Sequence, residues 1–175
     1  MKTFSILLVG LVAAGCANYS WRSAVSDGMR TVQVPVFRDS SGLTETGPVV
    51  TRQLLREFQR EGTFSIMSDG AALEVQGEVV SATSRGNGSD YRIGSRVHGG
   101  MFVLSAMVSV IDKVNGRILV NNRMYSGETP YSAMQDNTTA YRDAAGRAAA
   151  DLAQRIVDDI LNRKFDVKTE KKRYE

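Results

Sequence analysis

The sequence predicts an α+β fold, a two-layer sandwich of two helices on one mixed β-sheet. Three observations lead to this prediction. The first part of the chain has the order strand, amphipathic helix, strand, which is typical of a parallel βαβ unit. Three further strand patterns follow and predict a three-strand antiparallel meander. A long helix with one apolar stripe comes last. We expect this domain to span residues 30–163.

The βαβ unit starts with residues 30–37, where valines alternate with other residues. Pro35 has no N–H to donate to a sheet ladder, so this strand is expected to lie at an edge or to carry a bulge. Thr46, Gly47 and Pro48 predict a helix start with Pro48 in the first helical position. Apolar residues then recur at steps of four, and Gly62 is the expected C-cap. Residues 63–67 predict a short second strand.

The meander starts with residues 73–79, which alternate between apolar and polar side chains. Gly77 interrupts the apolar row and indicates a bulge or the close approach of another group. Residues 101–111 are apolar on both faces, so this strand is expected to be central or covered. Asn115 and Gly116 predict a hairpin turn, after which residues 117–125 form the third strand.

The last helix is predicted to begin between Asn137 and Tyr141. Its apolar stripe recurs every three or four residues and is expected to face the sheet: Tyr141, Ala145, Ala148, Leu152, Ile156 and Ile160. Gly146 costs about 1 kcal/mol of helix propensity relative to alanine. We take close approach of this helix to the sheet, or to a partner, as the reason for its small residues. Residues 164–175 are predicted to be a charged tail.

The first 16 residues have the pattern of a bacterial lipoprotein signal. Lys2 supplies a positive charge, residues 4–12 are mainly apolar, and residues 13–15 are small. Cys16, the only cysteine in the chain, follows directly. We predict removal of residues 1–15, attachment of diacylglycerol to Cys16 and a further acyl chain such as palmitate on the new amino terminus, which together suffice for stable anchoring. The apolar run is too short for a membrane span.

A secretory signal followed by an incidental cysteine is the alternative to a lipoprotein signal. A lone exported cysteine would then be a free reactive thiol, which favours lipidation. Ala17 stands directly after Cys16, where lipoproteins retained in the inner membrane often have aspartate. The sequence therefore favours the outer membrane. Residues 16–29 form a short lipidated tether.

Composition argues against several classes of function. The formal net charge is +3, but the excess of basic residues comes from Arg163 onward, so the rest of the chain has no net basic field that would favour nucleic-acid binding. His98 is the only histidine, and no Asp, Glu, His and Cys residues have the spacing of metal ligands. The glycines of residues 86–100 join strand to strand, whereas a phosphate-binding loop opens a helix. We therefore predict no enzyme, metal or cofactor.

The glycine-rich connection over residues 84–100 is the candidate binding site. It places Arg85, Arg92 and Arg96 at one hairpin tip, where their guanidinium groups can bind a multiply anionic amphiphile through charge-assisted hydrogen bonds. A solvated loop whose arginines bind nothing specific is the alternative, and spacing alone favours it.

Several sequence phrases occur in a characteristic order: Cys16 with Tyr19 and Trp21, TVQVPVF at residues 31–37, LLREFQREG at residues 54–62, and LEVQGEV at residues 73–79. Together they resemble the lipopolysaccharide-assembly lipoprotein family, LptE. The resemblance implies an outer-membrane lipoprotein on the periplasmic face. It further implies a plug and assembly partner inside the lipopolysaccharide-translocating β-barrel, LptD, that contacts lipopolysaccharide in transit.

The resemblance also implies that basic residues at strand-loop tips contact lipopolysaccharide. Arg85, Arg92 and Arg96 lie in such a loop, whereas residues 127–135 contain no basic residue. A second contact point is therefore not supported by the sequence.

Other envelope lipoproteins share this layout, including activators of peptidoglycan synthases and auxiliary lipoproteins of lipid transporters. An activator usually needs a long flexible linker, but only residues 17–29 separate Cys16 from the first strand, which favours the plug. An oligomeric pore subunit would need membrane-inserting hairpins. Residues 101–111 are too apolar on both faces to line a wet lumen.

Overall fold

The structure, a computed structural model, describes residues 27–43, 45–86, 98–133 and 137–163. Cys16, Arg92, Arg96 and the predicted tail lie outside these residues. Within them, a 3₁₀ turn at Asp27–Met29 precedes six strands and two helices. The strands are β1 (Thr31–Gln33), β2 (Arg38–Asp39), β3 (Ser65–Ile66), β4 (Leu73–Gly86), β5 (His98–Asp112) and β6 (Arg117–Ala133). The helices are α1 (Thr46–Glu61) and α2 (Asn137–Asn162).

All six strands form one mixed sheet, as predicted. Its order is β3-β1-β4-β5-β6, with β2 also paired to β4. β1 is parallel to β3 and β4, while β4, β5 and β6 are antiparallel. The βαβ unit and the antiparallel meander are therefore confirmed. Neither helix in the described part of the chain is both long and apolar enough to cross a membrane.

The first predicted strand is interrupted around Pro35. β1 pairs Gln33 with Glu74, and β2 pairs Arg38 with Glu78, so the first segment contains one residue more than β4 between these pairs. β1 lies between β3 and β4, but β3 pairs only with Thr31 and Val32, and β2 pairs with β4 alone. The predicted bulge is present, and it turns Phe37 into the core, where its side chain is 2% exposed.

Phe37 explains two glycines on its neighbours. A Cβ atom at Gly77 would lie 2.2 Å from the Phe37 ring, and one at Gly47 would lie 2.3 Å from the Phe37 carbonyl oxygen. The Phe37 N–H also donates to Thr51 Oγ1 at 2.9 Å. The close approach predicted at Gly77 is thus confirmed, and the interrupted strand is held between β4 and α1.

Helix α1 starts earlier than predicted. Its first residue is Thr46, with Glu45 as the N-cap at φ 71°, so Pro48 is the third helical residue and not the first. Asp39 takes the place of a local capping side chain, since its carboxylate accepts the Gly47 N–H at 3.2 Å. Gly62 ends the helix as predicted, at φ 68°, and its N–H donates to the Phe58 carbonyl at 3.2 Å.

The strands of the meander are longer than predicted. β4 continues to Gly86 and β5 begins at His98, so the ends of the predicted connection belong to the sheet. β6 likewise continues past Tyr125 to Ala133. Cross-strand pairing sustains these extensions, and Pro130 is tolerated because β6 is an edge strand that needs no further N–H donor. The predicted hairpin turn is present, with Gly116 at φ 64°.

Both helices cover one face of the sheet. The predicted stripe of α2 lies in this core, where Leu152 and Ile156 are fully buried together with Leu54 and Phe58 of α1 and Leu104 of β5. Burial of each such side chain contributes about 1.5–3 kcal/mol. The two apolar layers are therefore joined in one continuous core.

The close approach of α2 to the sheet occurs at Gly127 of β6. A Cβ atom at Gly127 would lie 2.1 Å from the Ala148 carbonyl oxygen and 2.5 Å from the Leu152 nitrogen. Gly146, by contrast, has no atom within 4 Å of the position that a Cβ would take. The predicted close approach is real, but packing against the described residues does not explain Gly146.

Candidate functional site

Within the described residues, one face of the sheet has no helix on it. We call it the open face and define it by Val36, Met107 and Ile111 of the bulge and β5, and by Ile118 and Met124 of β6. Met107 pairs with Met124 and Ile111 with Ile118, so these side chains form two apolar cross-strand pairs. Val36 is 66% exposed, Ile118 61% and Met124 52%. The first of the two alternatives predicted for β5 is confirmed, because the strand is central, between β4 and β6, and within the described residues the helices cover only one of its faces.

Charged side chains of β4 border the open face and are paired. Glu74 accepts hydrogen bonds from Gln76 and from Lys113, the latter at 2.9 Å. These two bonds, that from Gln76 first, lower the pKa of the Glu74 carboxyl below its usual value despite partial burial. Glu78 pairs with Arg38 at 3.2 Å. These carboxylates already have partners, whereas the apolar side chains of the open face are partly or largely exposed to solvent, without a covering group in the described residues.

A second concave surface lies between the helices. We call it the helix groove. It has a volume of about 660 Å³, and three arginines line it, Arg52 and Arg56 from α1 and Arg142 from α2. Apolar groups and one carboxylate complete most of the lining: Leu43, Val49, Tyr141, Ala145, Gly146 and Glu45. Arg52 and Arg56 are solvent-exposed, and their convergence with Arg142 depends on how the helices pack.

Most of the described domain matches the model of a known protein family. A family model described as LptE, lipopolysaccharide-assembly, matches residues 29–160. The chain belongs to the LptE family. The match covers βαβ unit, meander and most of α2, so the resemblance inferred from the sequence phrases is confirmed.

Two solved structures with TM-scores above 0.5 show the same fold as this LptE-family chain at low sequence identity. The PelC dodecamer from Paraburkholderia phytofirmans is 14% identical, with a TM-score of 0.51 over 80% of this chain and 92% of that one. A protein from Xanthomonas campestris is 16% identical, with a TM-score of 0.52 over 82% of this chain and 88% of that one. A minor lipoprotein from Acinetobacter baumannii is 14% identical, with a TM-score of 0.49 over 75% and 92%. A comparison with curated proteins finds no match in sequence.

The predicted lipopolysaccharide-binding residues of this LptE-family chain are only partly within the described residues. Arg85 is exposed near the end of β4 and pairs with Met101. Its neighbour Ser84 bonds Tyr141 of α2 at 3.2 Å between the two hydroxyl oxygens, so Ser84 faces the helices and Arg85 points to the open face. Arg92 and Arg96 lie outside the described residues, and their role stays a prediction.

Aromatic rings fix the end of the sheet that carries Arg85. Phe102 packs edge-on against Tyr131 and Tyr141, with ring centroids 6.4 and 6.0 Å apart. Such pairs contribute about 0.5–1.5 kcal/mol beyond their burial. This cluster joins β5, β6 and the N-terminal part of α2 at the end of the sheet that carries Arg85.

Sequence reasoning did not find the helix groove. Arg52 and Arg56 were visible as two like charges one helical turn apart, an arrangement that costs a few tenths of a kcal/mol. Arg142 gave no such signal, because it is distant in sequence from both. In the described ranges, no three His, Cys, Asp or Glu side chains lie together as a metal site would require.

Proposed function

We propose that this chain is an outer-membrane lipoprotein, anchored through Cys16 on the periplasmic side, that acts as plug and assembly partner of an LptD-like lipopolysaccharide-translocating barrel. Membership of the LptE family supports lipopolysaccharide assembly as its process. In this proposal the protein acts by binding and not by catalysis.

The open face is the observation that carries the proposal. Large apolar side chains grouped on a surface mark sites of interaction with proteins or membranes. Here Met107 pairs with Met124 and Ile111 with Ile118, and exposed Val36 lies near Met107. The hydrogen-bonded side chains of Ser109 and Asn122 lie between the two apolar pairs. A partner that covers them would remove apolar area from water, at about 25 cal/mol per Å².

The shape of the open face suits a long partner surface. β5 has 15 residues and therefore extends over about 50 Å. The charged groups beside Met107 and Ile111 pair with each other, Glu78 with Arg38 and Glu74 with Lys113, so a partner that covers these two pairs leaves none of their charges unpaired. A barrel interior that encloses the domain offers such a surface.

In this proposal, arginines of the β4–β5 hairpin contact lipopolysaccharide. Arg85 is exposed there, and Arg92 and Arg96 follow in the connecting segment. Guanidinium groups form bidentate hydrogen bonds with phosphate, which lipopolysaccharide carries. Arg85 lies at one end of the sheet, several residues along from Met107 and Met124, so one molecule of this protein can contact barrel and lipid together.

The test is affinity purification of the full-length lipoprotein from detergent-solubilised outer membranes. Wild-type protein is expected to recover a large barrel protein. A double variant, Ile118→Asp with Met124→Asp, places two charges on the open face and is expected to lose it. Ala150→Asp adds a charge at an exposed position of α2 and serves as the matched control, since it leaves the open face intact. Melting curves of all three proteins verify folding.

Two results count against the proposal. Equal recovery of the barrel by the double variant and by wild type would show that the open face is not the contact. Recovery of a peptidoglycan synthase, or of the subunits of a lipid transporter, would support one of the alternative lipoprotein functions.

A further inference from the structure

The helix groove contains cationic side chains that have no ionic partner among the described residues. Arg52, Arg56 and Arg142 are exposed and pair with no described carboxylate. Further along α2 the pattern is different, because the exposed arginines pair one turn away: Arg147 with Asp143 and Arg155 with Asp151. Unpaired charge is therefore concentrated where the two helices form a concavity.

The charges of the groove are also unfavourably placed in the absence of an anion. Arg52 and Arg56 stand one turn apart on α1, where like charges repel, and Arg142 adds a third charge from α2. Glu45 is the acidic residue in the lining and leaves an excess of positive charge. An anionic group bound between the three guanidinium groups would remove this repulsion, and their planar forks match a phosphate.

The base of the groove is apolar and contains the unexplained glycine. Val49 and Ala145 line it, together with the Tyr141 ring. Gly146 lowers helix stability relative to alanine, yet a Cβ there would meet no atom within 4 Å. Packing does not require a glycine at position 146, but a ligand that occupies the space beside it would. The Gln53 side-chain amide bridges to the Gly146 carbonyl at 3.4 Å and links the two helices at this point.

We propose that the helix groove binds an anionic phospholipid, with its phosphate on Arg52, Arg56 and Arg142 and one acyl chain on the apolar base. The volume of about 660 Å³ lies in the range of sites for a single small ligand. An acidic peptide fits less well, because its backbone N–H and C=O groups would lie unpaired over Val49, Ala145 and Tyr141. The site lies on the helix layer, separate from the open face and Arg85, and does not depend on the proposed plug function.

The binding test uses the full chain, released from detergent and observed by native mass spectrometry. The probes are 1-oleoyl lysophosphatidylglycerol, lysophosphatidylcholine with the same acyl chain and a headgroup of no net charge, and inorganic phosphate. We expect one anionic lysolipid to bind per chain, at least about tenfold more tightly than the zwitterionic one. Phosphate alone is expected to bind far more weakly, because it makes no contact with the apolar base.

Variants separate the charged rim from the apolar base. Arg56→Gln and Arg142→Gln are each expected to weaken lysolipid binding about tenfold, while Arg155→Gln, an equal loss of charge outside the groove, leaves it unchanged. Gly146→Leu places a side chain in the open space and is expected to abolish binding, although it should raise the melting temperature. Gly146→Ala shares the gain in stability but fills little space, and therefore retains most of the binding.

Three outcomes would overturn the assignment. Equal binding of the anionic and zwitterionic lysolipids would exclude the arginines as the determinant. Inorganic phosphate binding as tightly as the lysolipid would exclude the apolar base. Tight binding of an acidic peptide, with no lysolipid bound, would assign the groove to a protein partner. Because none of these measurements involves the barrel, a failed recovery of the barrel and a failed lipid titration are distinguishable.

Discussion

Replacing Gly127 by alanine tests how closely α2 lies on the sheet. The added methyl carbon would be placed 2.1 Å from the Ala148 carbonyl oxygen and 2.5 Å from the Leu152 nitrogen, whereas real contacts of a Cβ atom almost never fall below 3.0 Å. Both atoms belong to the helix backbone, so no change of side-chain rotamer relieves the contact. The helix must move outward by roughly 1 Å, and a gap of that size forfeits up to half of each dispersion contact it opens.

The expected cost of Gly127→Ala is about 3 kcal/mol, at the upper end of the range for overpacking a core. For a domain of this size, the melting temperature should fall by about 10 °C. Circular dichroism melts and urea titrations of wild type and variant measure both values. Gly28→Ala is the matched control, because a Cβ at Gly28 meets no atom within 4 Å, and its effect should stay within about 0.5 kcal/mol. A Gly127→Ala protein that melts like the control would refute the inferred backbone contact between α2 and β6.

Three further predictions concern single groups. Burial of the Asp39 carboxyl raises its pKa, but hydrogen bonds from Ser41 and the start of α1 outweigh this effect and lower the pKa from 3.8 to about 2. The folded state therefore gains stability that is present above about pH 4 and lost as the pH falls towards 2. Asp39→Ala should cost about 1 kcal/mol at pH 7, after allowance for solvent screening, and progressively less in urea titrations below pH 4; a cost independent of pH would contradict it. Burial, and then the hydrogen bond to Asp159 at 2.6 Å, raises the pKa of Tyr125 to about 12. In Tyr125→Phe the ultraviolet titration of tyrosinate should accordingly lose a step near pH 12, and loss of a step near pH 10 instead would show that the hydroxyl is free. Reversing charge with Arg92→Glu and Arg96→Glu should weaken lipopolysaccharide binding about tenfold or more in a pull-down, and unchanged affinity would remove the hairpin tip as the contact.

Local patterns predicted the elements of this fold better than their ends. The predictions for α1 and α2 rested on apolar residues at helical spacing, and both helices are present with those residues buried, except Tyr141, which is half-buried. The order of elements, strand, helix, strand and then a meander, fixed which strands are parallel because crossover connections and tight hairpins permit different pairings. The strands β4, β5 and β6 were predicted too short, because their terminal residues are held by pairing with residues of a neighbouring strand that are distant in sequence.

The sequence predicted that other groups approach some glycines closely, but it did not identify every glycine at which this occurs. Gly77 was singled out because it interrupts an apolar row, and Phe37 does approach it. Gly127 interrupts no such row, and nothing local indicates that Ala148 packs on it. The choice between an edge strand and a bulge at Pro35 was likewise open, because the position of a strand in a sheet depends on its neighbours.

The sequence by itself determined the types and order of the elements and the likeness to the LptE family, because periodicity and short phrases are local properties of the chain. Only the tertiary structure decided which surfaces are left uncovered. The open face exists because both helices pack on one side of the sheet, and the helix groove exists because α1 brings Arg52 and Arg56 beside Arg142 of α2. Residues so far apart in sequence meet only through the packing of the shared core, which no local pattern specifies.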